Sequence, residues 1–234
     1  MVNLIPTQWG GHLKGLSISN KDICKLHIFF IFSKMSIKRA IIGVLALQGG
    51  VIEHQSALEK CGVQVVLVKT KDDLKKVQAL IIPGGESTTI GKLIRWYGLE
   101  EDLKRRIKEG MPVYGTCAGA ILLAKNVIGR EKAPHLALMD VTIERNSYGR
   151  QLDSFESQIE FGEMPAKHKI PAVFIRAPKI RSVGNKVIVL AQMGKEIIAA
   201  RENNKLVTTF HPELTDKLIV HRYFLDMIPK SLRA

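Results

Sequence analysis

Four short apolar runs, separated by stretches of helical spacing, constrain this chain more than any other feature. "AIIGVLAL" (40–47) runs into Gln48-Gly49-Gly50, "VQVVLV" spans 63–68, "ALIIP" (79–83) stops at Gly84-Gly85, and "PVYGT" covers 112–116. Runs this short and this continuously apolar read as strands buried on both faces. Between them, residues 51–61 carry Val51, Ile52, Ala57, Leu58 and Cys61 at helical intervals. Residues 88–97 and 100–109 also suit helices, the second stopped by Gly110. "AGAILLAK" (118–125) follows the fourth strand directly as a helix. Strand and helix alternating through short loops predict a parallel sheet covered on both sides. The second half differs. Strand-like runs at 138–145, 157–161, 172–177, 186–191, 196–200 and 205–210 are mostly joined by turns, with Asn203-Asn204 as a hairpin turn, and a helix over 216–228 closes the chain.

Composition narrows the class. With 234 residues and 46% apolar side chains, the chain can build one domain, or two small ones, around a real core. No stretch reaches the roughly 18 consecutive apolar residues of a spanning helix, so no helical membrane protein is expected. The net charge of +13 raises the question of a nucleic-acid partner. Its distribution argues against one. Residues 1–40 hold six basic side chains (Lys14, Lys21, Lys25, Lys34, Lys38, Arg39) against Asp22, a net +5 of the +13. The remainder is spread without any run of five or six like charges and rarely beside aromatics, as on a solvated surface.

The first 35 residues do not read like the rest. Their apolar run, Leu26 to Phe32, comes late and lacks the small-residue cleavage site of a secretory signal. Met35 then opens a plausible start, "MSIKRAIIGVLALQGG". A wrongly chosen upstream start stands first, an organellar targeting segment second and a structural extension third. Three cysteines (Cys24, Cys61, Cys117) without a CxxC pair suit neither a disulfide scaffold nor a zinc site, and fit a reducing, cytoplasmic setting.

The chemistry concentrates in "VYGTCAGAILLAK" (113–125). A strand ends at Thr116, Cys117 occupies the turn between Gly115 and Gly119, and a helix follows. This is a nucleophile elbow carrying a thiol. The helix N-terminus favours a thiolate, and the Ala118 N–H can face a developing oxyanion. Of seven histidines, His211 in "TTFHPEL" (208–214) follows a predicted strand and has Glu213 two residues on. Alternation along an extended segment would put the two on one side, letting the carboxylate orient the imidazole of a Cys-His-Glu triad. Taken alone, His-Pro-Glu would be a surface turn; paired with the elbow it reads as the triad. "PGGEST" (83–88) offers backbone N–H groups at a strand-to-helix loop, but lacks the endings of a P-loop or dinucleotide site.

Together these motifs resemble class I (triad-type) glutamine amidotransferases, and most closely the glutaminase subunit of the pyridoxal 5′-phosphate synthase complex. "GVLALQGG" (43–50), "PGGESTT" (83–89), "GTCAGAILLAK" (115–125), "ERNSYGRQLDSFE" (144–156), "FIRAP" (174–178) and "FHPELT" (210–215) carry the likeness in order. G-x-C-x-G and H-P-E are common to the class; the "GGESTT", "RNSYGRQ-DSFE" and "FIRAP" stretches select the vitamin B6 branch. The resemblance implies an α/β, single-domain, three-layer, flavodoxin-like fold over 36–234, with a central mixed, mostly parallel sheet and helices on both faces.

It also implies roles. Cys117 would attack the side-chain amide of L-glutamine and form a thioester, His211 would shuttle protons, and Glu213 would orient it. Backbone N–H groups of Gly85 and Ala118 would form the oxyanion hole. Gly85, Glu86, Ser87, Arg145, Ile175 and Arg176 would contact glutamine, the arginines suiting its carboxylate; a surface salt bridge is the plainer reading of each arginine. Ammonia would pass to a (β/α)-barrel synthase subunit in a large hetero-oligomer, with no metal, prosthetic group, nucleic acid or membrane involved. The first 35 residues have no counterpart in that family. The alternatives are another class I amidotransferase subunit, a thiol hydrolase of a related elbow-bearing fold, or a catalytically silent binding protein; the intact Cys117, His211 and Glu213 argue against the last.

Overall fold

A computed structural model describes residues 40–129, 135–145, 154–163 and 167–232. The expectations for residues 1–35, Cys24 included, and for positions 146–153 lie outside these residues. The first half alternates as its apolar runs require: β1 (Ile41–Leu45), α1 (Val51–Lys60), β2 (Gln64–Val68), α2 (Lys71–Lys76), β3 (Ala79–Ile82), α3 (Ser87–Trp96), α4 (Glu100–Lys108), β4 (Val113–Thr116) and α5 (Ala118–Leu123). Then come β5 (Ala124–Ile128), β6 (Met139–Glu144), β7 (Ser154–Phe161), β8 (His168–Ile175), β9 (Lys179–Val183), β10 (Ile188–Met193), β11 (Glu196–Glu202), β12 (Lys205–Thr208) and α6 (Ile219–Asp226).

The main sheet runs β2-β1-β3-β4-β12-β11-β9-β6-β5, with β10 beside β11, and β7 and β8 form a separate antiparallel ribbon. From β2 to β12 every pairing is parallel. Beyond β12 the pairings turn antiparallel until β5 meets β6. The β11–β12 hairpin pairs Glu202 with Lys205 across Asn203-Asn204, and Asn203 takes a left-handed φ of 54°.

Alternation along each buried strand feeds two cores. Leu80 and Ile82 of β3 join Ile90, Ile94, Leu103 and Ile107 of α3 and α4 on one face. Ala79 and Ile81 join Leu58 of α1, Val220 and Phe224 of α6, and Phe161 and Phe174 of the ribbon on the other. This is the three-layer arrangement the apolar runs demand. Among the described residues, no helix is long and apolar enough to cross a membrane.

Three elements depart from the sequence reading. The helix expected over 118–125 stops at Leu123, because Leu136 and Leu138 donate their N–H groups to the Leu122 and Leu123 carbonyls at 2.7 and 2.9 Å. Ala124 then turns extended and starts β5. Helix α2 escaped notice because only Leu74 of its six residues is buried; a capping box between Thr70 and Asp73 starts it. β9 is a short strand just after Pro178, too brief to show a clear period.

Candidate active site

The carboxyl ends of the parallel strands point to one place, where such sheets bind their ligands. Gln48 follows β1, Gly84 follows β3, Cys117 follows β4 and His211 follows β12. The registers keep these ends level, pairing Ile82 with Gly115 and Thr208 with Thr116. They border a cavity of about 480 Å³. Cys117, His211, Glu213, Gly85, Glu86, Ser87, Ala118, Arg145, Ile175 and Arg176 all line it.

Cys117 has φ 48° and ψ −100°, a left-handed backbone that a side chain rarely adopts. It is held there from both sides. Its N–H donates to the Thr208 carbonyl at 2.8 Å, and its carbonyl accepts the first bond of α5 from Ile121 at 3.2 Å. The flanking glycines allow the turn: a Cβ on Gly115 would lie 2.5 Å from the Gly119 carbonyl carbon, and one on Gly119 would lie 2.1 Å from the Ile82 oxygen. The N–H groups that open α5 have no carbonyl a turn behind them, and Ala118 lines the cavity.

His211 donates its backbone N–H to Val173 of β8 at 2.8 Å, and its Nδ1 lies 2.7 Å from Glu213 Oε1. The geometry differs from the expected extended segment: Pro212–Leu214 forms a single 3-10 turn, with Pro212 favouring the first position. The turn curls Glu213 back onto the ring, so the pairing comes from curvature and not from alternation. Burial works to lower the imidazole's affinity for a proton. Hydrogen bonds and charge from Cys117 and Glu213 overcome it and raise the pKa to about 10. Burial would raise the Glu213 pKa, yet the neighbouring His54 and His211 hold it below the usual carboxylate value.

The glycine loop is interlocked with the loop after β1. Gly50 N–H donates to the Gly84 carbonyl at 3.0 Å, and the Gln48 side-chain oxygen accepts from Glu86 N–H at 2.8 Å. A Cβ on Gly84 would fall 2.5 Å from His211 Cε1, so only glycine lets the loop lie against the imidazole. Glu86 caps α3 through Thr88 and Thr89 N–H at 3.1 and 2.6 Å. Burial opposes its charge, but the Thr88 and Thr89 donors hold its pKa at about 2. Arg145 joins the same cluster, with Nη2 3.1 Å from Glu86 Oε1 and Nη1 3.1 Å from Thr88 Oγ1. It therefore makes the salt bridge expected of an ordinary surface arginine while also bordering the cavity. Arg176 stands at the end of β8 with a left-handed φ of 42°.

Comparison with known proteins fixes the lineage. Residues 44–230 match the SNO glutamine amidotransferase family. The chain belongs to that family. The pyridoxal 5′-phosphate synthase subunit PdxT of Desulforamulus reducens is 49% identical over 191 residues, covering 80% of this chain and 99% of the relative. That of Geobacillus thermodenitrificans is 50% identical over 190 residues, covering 81% and 96%. A crystal structure of a glutamine amidotransferase superposes with a TM-score of 0.76 at 45% identity, over 80% of this chain and 98% of that one. PurLQS from Thermotoga maritima, at 15% identity and a TM-score of 0.60 over 82% of this chain, shares the fold.

Several residues of this SNO-family site went unrecognised in the sequence. Gln48 sits in "GVLALQGG", but nothing in that run reveals that its amide bridges two loops. Glu53, Pro178 and Leu214 also line the cavity. His54 and His221 lie fully buried beneath it, which no local pattern signalled. Among the described residues, no group of three or more His, Cys, Asp or Glu is arranged to hold a metal ion.

Proposed function

We propose that this chain is the glutaminase subunit of a pyridoxal 5′-phosphate synthase, hydrolysing L-glutamine to L-glutamate and ammonia and delivering the ammonia to a synthase subunit. The observation that carries the reading is the line Cys117–His211–Glu213 on one wall of a cavity whose rim holds two arginines. The match to a family described as glutamine amidotransferases, and to relatives 49–50% identical that are named as subunits of pyridoxal 5′-phosphate synthase, supports the substrate and the partner complex.

Each role follows from position. Cys117, as a thiolate paired with protonated His211, attacks the carboxamide carbon of glutamine; a C–S bond forms and the carbonyl π electrons move onto oxygen. The Gly85 and Ala118 N–H groups receive that oxyanion. His211 gives its proton to the departing nitrogen, the C–N bond breaks, and ammonia leaves a γ-glutamyl thioester. Water, deprotonated by His211, attacks the thioester; the C–S bond breaks and glutamate departs. Glu213 keeps Nδ1 of His211 protonated and the ring aimed at sulfur throughout. Gly85, Glu86, Ser87 and Ile175 shape the pocket, and Arg145 and Arg176 receive the glutamine carboxylate.

The glutaminase domain in this reading is residues 36–234, acting in the cytoplasm. The test is ammonia release from glutamine by the full chain and by a chain beginning at Met35, each with and without the synthase subunit. Turnover that rises on adding the partner, equally for both chains, is expected. No turnover under any of these conditions would sink the reading, and loss confined to the shorter chain would overturn the domain boundary.

A further inference from the structure

Beneath the triad lies a buried polar relay that the chemistry above does not use. His54, on α1, and His221, on α6, are both wholly inaccessible. His54 Nδ1 lies 3.1 Å from His221 Nε2. On its other side, His54 Nε2 lies 3.0 Å from Thr116 Oγ1 and 3.5 Å from Glu213 Oε1, the oxygen that holds His211. Thr116 immediately precedes Cys117. His54 therefore touches the side chain next to the nucleophile and the carboxylate of the triad together.

The hydrogen-bond inventory selects one proton arrangement. Suppose His54 carried its proton on Nδ1. It would donate to His221 Nε2, forcing the His221 proton onto Nδ1, a buried atom with no hydrogen-bond partner among the described residues. The bare lone pair of His54 Nε2 would meanwhile face the Glu213 carboxylate. Both are costly in a dry interior. In the other arrangement His221 Nε2–H donates to His54 Nδ1, and His54 Nε2–H faces Thr116 and Glu213. The unpartnered His221 Nδ1 is then only a lone pair. Every polar proton in the line points toward Glu213.

We propose that His54, its tautomer fixed by His221, is a positioning residue: its Nε2–H donates to the Thr116 hydroxyl and presents its positive edge to Glu213 Oε1, and so holds the carboxylate on His211. The proposal rests on the glutaminase reading. The groups facing His54 are Glu53 beside it on α1, Tyr114 and Thr116 on β4, His211 and Glu213 after β12, and His221 on α6. Burial outweighs the attraction of Glu213 and keeps His54 below its usual pKa, and burial also lowers His221, to about 3. Both shifts favour the neutral imidazole that the relay requires. A charged His54 would instead compete with His211 for the carboxylate.

The experiment has two arms on the full chain. In the first, imidazole nitrogen shifts of the ¹⁵N-labelled protein are followed by NMR between pH 6 and 8, with assignments from loss of signals in His54→Gln and His221→Phe. Expected are neutral Nε2–H tautomers for both residues across the range; an Nδ1–H tautomer or a charged His54 would overturn the proposal. In the second, glutaminase kinetics with the synthase subunit present compare wild type, His54→Leu and His54→Gln. Loss of the donor should lower kcat roughly 10-fold to 100-fold with KM within about twofold, and move the acid limb of the kcat/KM profile upward as Glu213 becomes easier to protonate. His54→Gln, which keeps an N–H donor, should recover a large part of kcat. Equal kcat and equal pH profile in wild type and His54→Leu would refute the positioning role. Should His54→Leu not fold, the tautomers and His54→Gln decide. A wild-type protein with the expected tautomers but no glutamine turnover would break the glutaminase reading instead.

Discussion

Two regions meet at the cavity and build it differently. On the parallel side, Gln48, Gly84, Cys117 and His211 each lie within three residues of a strand end, and Gly84 lies against His211 and Cys117 while Gly85 lies against Gln48. On the antiparallel side, Arg145 follows β6, Ile175 ends β8 and Arg176 follows it, reaching the cavity through side chains. The parallel side is held through glycine contacts and main-chain hydrogen bonds. The antiparallel side contributes two long cations, of which Arg145 is tied to Glu86 and Thr88 through its side chain. In the glutaminase reading, bond-making belongs to the first and substrate recognition to the second, so damage to the first should appear in kcat and damage to the second in KM.

The largest effect tests that division at its centre. Cys117→Ala should lower ammonia release by roughly four orders of magnitude or more, to background. Thiol-dependent turnover in that variant would place the bond-making elsewhere. Gly84→Ala comes next. Its new methyl would collide with the imidazole, and a displacement of that size should cost on the order of 100-fold in kcat; kcat within twofold of wild type would mean that the loop and His211 are not locked together.

A thermodynamic effect follows, below the parallel side. His221 has a pKa of about 3 in the folded protein against an ordinary 6.5 when unfolded. The unfolded chain therefore binds more protons between these values, and stability present above about pH 6.5 is lost as pH falls toward 3. Between pH 7 and pH 5, wild type should lose ~2 kcal/mol more than His221→Phe in denaturant titrations. Parallel losses in the two proteins would show that His221 is not buried neutral. The smallest effect tests the antiparallel side: Arg176→Ala should raise KM for glutamine about tenfold and leave kcat within a fewfold. A fall in kcat at unchanged KM would erase the distinction between the two regions.

The parallel side was also the more legible in sequence. Its strands are continuous apolar runs because both faces are covered, and its turns are marked by glycines that contact geometry makes obligatory. The G-x-C-x-G spacing could be read because Gly115 and Gly119 leave no room for a Cβ. The His211–Glu213 pairing was also anticipated, though for the wrong geometric reason, since a two-residue separation serves a 3-10 turn as well as a strand. Helix α2 and strand β5 were hidden because a capping box and a set of carbonyl acceptors made them, neither of which leaves an apolar period. His54 and His221 lie 167 positions apart, and only the folded sheet brings them together.

With φ at 48°, Cys117 works against the fold that carries it. A backbone of this kind on a residue with a Cβ costs about 1–3 kcal/mol, which glycine would largely relieve. Selection for stability alone would favour glycine at position 117, and the resulting protein would be sturdier and inert. Marginal stability is thus partly written into the site itself. Searches for more heat-resistant forms of this enzyme should expect to find their gains everywhere except at the turn after β4.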